Sequence, residues 1–196
     1  MRTLNELLEE AKWGKLTKDE VDYVVHRIKS STPEEEDDDI YTLLHILGKS
    51  GNKQYRKLVE EFLYYPTFPM VSSIALRTLC TYWGYAQDYL NELKVFIKGV
   101  EWDDGQVRLI AISTTGEFLR NHPEKELLQL LIDSLIVENK EENESIELYR
   151  DAAYEALARA VGEEWSDLLK DERPSPVVLE KVYRMLQTIS SSNEQN

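Results

Sequence analysis

Few residues of this chain have the types and spacing that chemistry needs. There are three histidines, His26, His45 and His122, and one cysteine, Cys80. Asp22 and His26 are four apart and share a helix face, yet two ligands without a third make no metal site, and no His-Glu-x-x-His element occurs. His45 stands beside Leu44 and reads as a packed or hydrogen-bonded ring. His122 precedes Pro123 and reads as a turn residue. Cys80 ends the apolar run from Ile74, so it is expected to be a buried, inert thiol. Glycine-rich phosphate loops and a Gly-x-Ser-x-Gly elbow are missing. Acid pairs are too many for spacing to single out a general acid and base. Asp103-Asp104-Gly105 is expected to cap a helix, where carboxylates serve free N–H groups and favour the dipole. Glu34 to Asp39 lacks the alternating ligands and turn glycine of a calcium loop. These residues predict neither catalysis, nor a cofactor, nor a metal.

The elements that carry these side chains are helical. Glycine (8) and proline (6) are scarce among 196 residues, and 42% of the chain is apolar against 31% charged. That balance suits long helices around a core of ordinary size. Thr3-x-x-Glu6 and Thr17-x-x-Glu20 have capping-box spacing. Pro33, Pro123 and Pro176 sit where a first helical turn accepts proline. Glycines 14, 48, 84, 99, 116 and 162 fall near the ends of periodic stretches, and some are expected to be C-caps. The predicted helices span 3–13, 17–30, 34–48, 52–65, 69–83, 86–98, 104–121, 123–138, 144–161, 163–171 and 176–190. No strand is predicted.

Internal repetition is visible in the first helices of successive hairpins. Ile40-x3-Leu44-x2-Leu47-Gly48 aligns with Val71-x3-Ala75-x3-Leu79. Val107-Arg108-x2-Ala111-x3-Thr115-Gly116 and Tyr149-Arg150-Asp151-Ala152-Ala153-x2-Ala156-Leu157 continue the series. The small residue at 75, 111 and 153 allows backbones to approach. Asp104 to Ala111, with Val-Arg and then Ala, resembles the HEAT-repeat family, and Tyr149 to Ala153 is similar with Tyr in place of Val. The resemblance covers residues 37 to about 171. It implies an all-α solenoid of about four irregular hairpins within a single domain, 1–196. Residues 1–33 would be N-terminal capping helices, 34–171 the hairpins, 176–190 a C-terminal capping helix and 191–196 a disordered tail. The family carries no single activity.

The net charge is −14, with 37 acids against 23 bases. Such a chain repels phosphate backbones and anionic lipids, so neither a nucleic-acid nor a membrane partner is expected. Residues 99–149 hold 12 acids and 4 bases. With the aromatics near the hairpin turns, they suggest a face for a cationic protein. The candidate partner-binding residues are Glu61, Tyr64, Tyr85, Asp88, Glu92, Trp102, Asp103, Asp104, Asp133, Glu138, Glu141 and Glu142. The expected function is that of a non-catalytic binding module. Its most concrete form is an acidic immunity protein that neutralises a basic toxin, such as a nuclease, by occluding the active site. Alternatives are a housekeeping repeat scaffold and, further off, a HEAT-like enzyme such as a bilin lyase or a DNA glycosylase. Charge disfavours the glycosylase. A monomer or weak dimer in the cytoplasm is expected, since Met1 to Glu6 has no signal-peptide core and the uncharged run that includes Leu63 to Leu76 is too short to span a bilayer.

Overall fold

The computed structural model describes residues 2–31, 39–136, 144–163 and 175–193, and among these every regular element is a helix. The α-helices are α1 (Leu4–Lys12), α2 (Lys18–Ser30), α3 (Asp39–Lys49), α4 (Arg56–Glu60), α5 (Pro69–Arg77), α6 (Leu90–Lys98), α7 (Gln106–Leu119), α8 (Lys125–Asp133), α9 (Glu144–Ala160) and α10 (Pro176–Asn193). A π turn, Thr78–Tyr82, extends α5, and short 3-10 turns at Lys53–Tyr55 and Ala86–Tyr89 precede α4 and α6. The start proposed at Thr32-Pro33, residues 164–171 of a proposed helix and residues 194–196 of the proposed tail lie outside the described residues, whereas residues 191–193, expected to belong to that tail, continue α10. No described helix is long and apolar enough to cross a membrane.

Both capping boxes form. Thr17 Oγ1 accepts from the Glu20 N–H at 3.3 Å, while the Glu20 carboxylate accepts from the Thr17 N–H at 2.9 Å. Thr3 and Glu6 repeat the arrangement at α1. Each box satisfies two N–H groups that a helix start leaves unpaired. Thr17→Ala should therefore lower stability by about 1 kcal/mol, and Thr17→Ser should restore most of it. Urea unfolding of the two variants checks this.

The chain forms two compact units, residues 1–88 with 101–107 and residues 89–100 with 108–196. In the first, α3 packs against α1, α2, α5 and the π turn. Leu43, Leu44, Ile46 and Leu47 are buried almost completely because α3 is covered by so many neighbours. A side chain of this kind contributes about 1.5–3 kcal/mol when fully buried. In the second, α8 lies against α6, α9 and α10. Leu127, Leu128 and Leu131 fill that contact, with Phe96 from α6 and Val178 and Val182 from α10 also inaccessible. The Tyr154 hydroxyl accepts from the Ser175 N–H at 2.7 Å and ties the start of α10 to α9.

Several expectations change. The helix proposed for 52–65 is interrupted: a 3-10 turn leads into five residues of α4, and Phe62 and Leu63 close it with bonds to the carbonyls of Val59 and Glu60. The Ser72 hydroxyl then accepts from the Tyr65 N–H at 2.8 Å, which holds the chain out of a helix before Pro66. Pro123 is not the first residue of α8; Glu124 is the N-cap, its side chain accepting from the Leu127 N–H at 2.6 Å. Glycines 14, 84, 99 and 162 do adopt positive φ, but Gly48 and Gly116 do not. Those two lie inside α3 and α7, where a Cβ would collide with a neighbour.

Candidate functional site

The candidate partner-binding residues divide between the units. Glu61, Tyr64, Tyr85, Asp88, Trp102, Asp103 and Asp104 belong to the first; Glu92 and Asp133 belong to the second. Glu138, Glu141 and Glu142 lie outside the described residues. The acid-rich stretch 99–149 is thus divided between the two units, so its density along the sequence does not by itself define a face.

Local chemistry accounts for several of these side chains. Asp103 accepts from the Val107 N–H at 3.0 Å and Asp104 from the Gln106 N–H at 3.4 Å, so both cap α7. Asp88 is 2.6 Å from the Arg56 guanidinium, whose Nε reaches Glu60 at 2.9 Å. The Arg56 guanidinium also lies 4.6 Å from the centre of the Tyr85 ring, with Lys53 at 5.3 Å. Tyr85 and Asp88 are thus held in a cation-centred network of their own unit. Asp133 accepts from Gln129 at 2.8 Å, and Trp102 and Glu92 are half-buried.

Glu61 and Tyr64 differ. Both are exposed on the segment after α4, and Tyr64 keeps 52% of its surface. Glu61 edges a cavity of about 310 Å³ lined also by Ile28, Lys29, Ser31, Leu58, Phe62 and Tyr65. Phe62, Tyr65 and Phe68 form a ladder of rings with centroids 5.7 and 6.2 Å apart. The groove sets the half-buried Tyr65 and the largely buried Phe62, Leu58 and Ile28 beside one carboxylate and one ammonium. Sequence reading assigned Leu58 and Phe62 to a hairpin helix and did not bring Ile28 and Lys29 to them. Those residues are separated by some thirty positions, and no short-range pattern links them.

Several cations of the second unit are paired within it. Lys94 meets Glu126 at 2.6 Å and Glu124 at 3.5 Å. The hydrogen bond from Lys94 is the main reason the Glu126 carboxyl is held below its usual range, and the same bond raises the Lys94 ammonium above its own. Arg159 reaches Glu155 at 2.7 Å and Glu117 at 3.4 Å. The Arg108 guanidinium of the Val-Arg element lies 4.4 Å over the ring of Tyr149, the residue that replaces valine in the next repetition.

Histidines and the thiol hold no catalytic arrangement among the described residues. Cys80 is buried, and His122 stacks on Phe118 at 4.9 Å. His45 is half-buried with Nε2 3.1 Å from the Tyr82 hydroxyl. Burial, and then the charges of Lys49, Arg77 and Lys12, hold its imidazole below the ordinary histidine range. No group of three or more His, Cys, Asp or Glu side chains among the described residues is arranged to hold a metal ion. In comparison with known proteins, no family model matches the chain, and neither a curated protein nor a solved structure is similar enough to count as a relative.

Proposed function

We propose that the chain is a non-catalytic, helical-repeat binding module for a cationic protein, with the groove beside Glu61 as part of its grip. In its most concrete form it is an acidic inhibitor of immunity type, covering the active site of a basic toxin such as a nuclease. The observation that carries this reading is the groove itself. The half-buried Tyr65 and the accessible margins of Leu58 and Phe62 offer apolar area for an anchoring side chain, while Ile28 is itself buried, and the exposed Glu61 carboxylate, which has no ion pair among the described residues, stands at the edge. Buried apolar anchors supply affinity, while a field of one sign supplies rate and selectivity. A net charge of −14 gives that field its sign. The HEAT-like repetition supports a binding role as well. Ala75, Ala111 and Ala153 are fully buried, as an element that stacks closely on its neighbours requires.

The test is retention of a basic protein from soluble lysate, with the bound protein then purified and its affinity measured. Glu61→Lys should weaken binding by about fivefold or more, and Lys29→Glu, on the same rim, should strengthen it. Raising salt to about 1 M, where the screening length is about 3 Å, should release most of the complex. Retention that ignores both charge reversals sinks the reading. For the inhibitor form, the retained protein must have a toxic activity that the chain blocks at equimolar ratio.

A further inference from the structure

A second cluster in the first unit has the opposite sign to the chain as a whole. Lys12, Lys49 and Arg77 are last-turn residues of α1, α3 and α5, and α3 packs against both of the other helices. The ends of α3 and α5 meet, since a Cβ on Gly48, next to Lys49, would touch both Thr78, next to Arg77, and Tyr82, and the charges of Lys12, Lys49 and Arg77 are all felt at the His45 ring. The rings there are joined to one another. His45 and Tyr82 stack at 5.7 Å with the Tyr82 hydroxyl on Nε2, Tyr41 meets His45 edge-on at 6.1 Å, and Lys49 Nζ lies 3.9 Å above the Tyr82 ring. His45, Lys49, Arg77 and Tyr82 are each half-buried and therefore still open to a solute.

A last-turn cation complements its helix dipole, and for one helix that is explanation enough. Lys12 has a carboxylate of its own helix, Glu9, at 2.6 Å, but the dipole alone does not explain why Lys49 and Arg77 meet without one. Like charges on neighbouring helices repel, and this chain has acids to spare. Arg27, Arg56, Lys94 and Arg159 each have a carboxylate within hydrogen-bonding distance. Among the described residues, Lys49 and Arg77 have none within ion-pair distance. Two cations without a carboxylate partner, Lys49 and Arg77, together with a phenol and an imidazole, form the donor set of an oxyanion site.

We infer that this end of the first unit binds a phosphate-class oxyanion, held by Lys49 and Arg77, with Lys12 adding to the field and the His45–Tyr82 pair supplying a hydrogen-bond donor. The groups acting on His45 come from three elements: Lys12 from α1, Lys49 from its own helix, and Arg77 from α5, whose π-turn extension carries Tyr82. No charged group of α2 acts on it among the described residues. An oxyanion would offset Lys49 and Arg77 and make protonation of the ring easier. The site is independent of the Glu61 groove, so a chain that retains no cationic protein should still take phosphate.

The experiment titrates inorganic phosphate into the full chain at constant ionic strength, with chloride as the balancing anion, and follows the His45 ring by NMR. A saturable shift is expected, with the His45 pKa rising toward or beyond its ordinary value of about 6.5. Lys49→Gln and Arg77→Gln should each weaken phosphate by about threefold to tenfold. Lys12→Gln changes an exposed side chain and should weaken it less, with the fold unaffected. Phenyl phosphate, run alongside, distinguishes the source: tighter binding than inorganic phosphate indicates an ester ligand, and equal binding indicates the free ion. If chloride alone produces the same shift, screening explains it and the site is refuted. It is equally refuted if Arg77→Gln keeps its helicity and binds phosphate as before.

Discussion

Replacing Gly116 with alanine should destabilise the protein by about 1–2 kcal/mol, although the same change inside an exposed helix would stabilise it by about 1 kcal/mol. The sign turns on what a Cβ would meet. Gly116 lies within α7, and its Cβ would fall 2.6 Å from the Ala156 Cα, 2.6 Å from the Ala156 carbonyl oxygen and 2.8 Å from the Ala156 Cβ. Two of these three contacts are backbone, so a side-chain rotation cannot relieve them. α7 and α9 must separate, and the buried Ala156 would lose its contact with α7. Urea unfolding should show a lower midpoint with an unchanged slope. Gly116→Val should cost more. The double variant with Ala156→Gly should recover only part of the loss, since only the Cβ contact is removed. Full recovery would show that side chains rather than backbones set the approach of these helices.

That glycine shows where sequence reading worked and where it stopped. Features decided within a few residues were legible. Thr3-Glu6 and Thr17-Glu20 form their boxes because each needs only one turn of helix. Asp103 and Asp104 cap α7 for the same reason. The burial of Ala75, Ala111 and Ala153 was legible from repetition. Gly48 and Gly116 fall near the ends of apolar stretches, where glycine has two meanings. One is the left-handed conformation and the other is lack of space, and only the neighbour decides between them. For Gly48 that neighbour is thirty residues away: a Cβ there would fall 2.4 Å from Thr78 Oγ1 and 2.8 Å from Tyr82 Cδ2. The break in the 52–65 helix likewise rests on a hydroxyl seven residues downstream, Ser72.

The candidate site was legible to the same degree. Acid density along residues 99–149 is a property of the sequence, and the chain then places those residues in different units and commits several to caps and ion pairs. Tyr85 and Asp88 looked available because Arg56 is some thirty residues away in sequence, yet folding places its guanidinium on both. Glu61 and Tyr64 kept their exposure, and the groove beside Glu61 exists because α2 and α4 meet there. Neither charge counts nor periodicity reports such a meeting.

Trp83 should be the most costly single side chain to remove from the first unit. It is only 1% exposed, and its Nε1–H donates to the Gly48 carbonyl at 3.0 Å. The π turn puts it there. In an α-helix of about 3.6 residues per turn, residue i+4 lies nearest above residue i, whereas a bond from i to i+5 brings the fifth residue round to that side. The Trp83 N–H bonds to the Thr78 carbonyl at 2.9 Å in this way, so Thr78 and Trp83 both reach Gly48, one by its methyl and hydroxyl and the other by its indole. Trp83→Ala should cost about 3–5 kcal/mol, because the indole volume is left empty. Trp83→Phe should cost about 1–2 kcal/mol, combining a smaller gap with the loss of one hydrogen bond. The Gly48 carbonyl would keep a second donor, the Gly51 N–H at 3.2 Å, so it would not become an orphaned acceptor. Packing should therefore outweigh the hydrogen bond, and urea unfolding of the two variants measures the difference. Equal losses in the two would put the energy in the indole N–H instead and would make the π turn a device for directing one hydrogen bond rather than for filling the core.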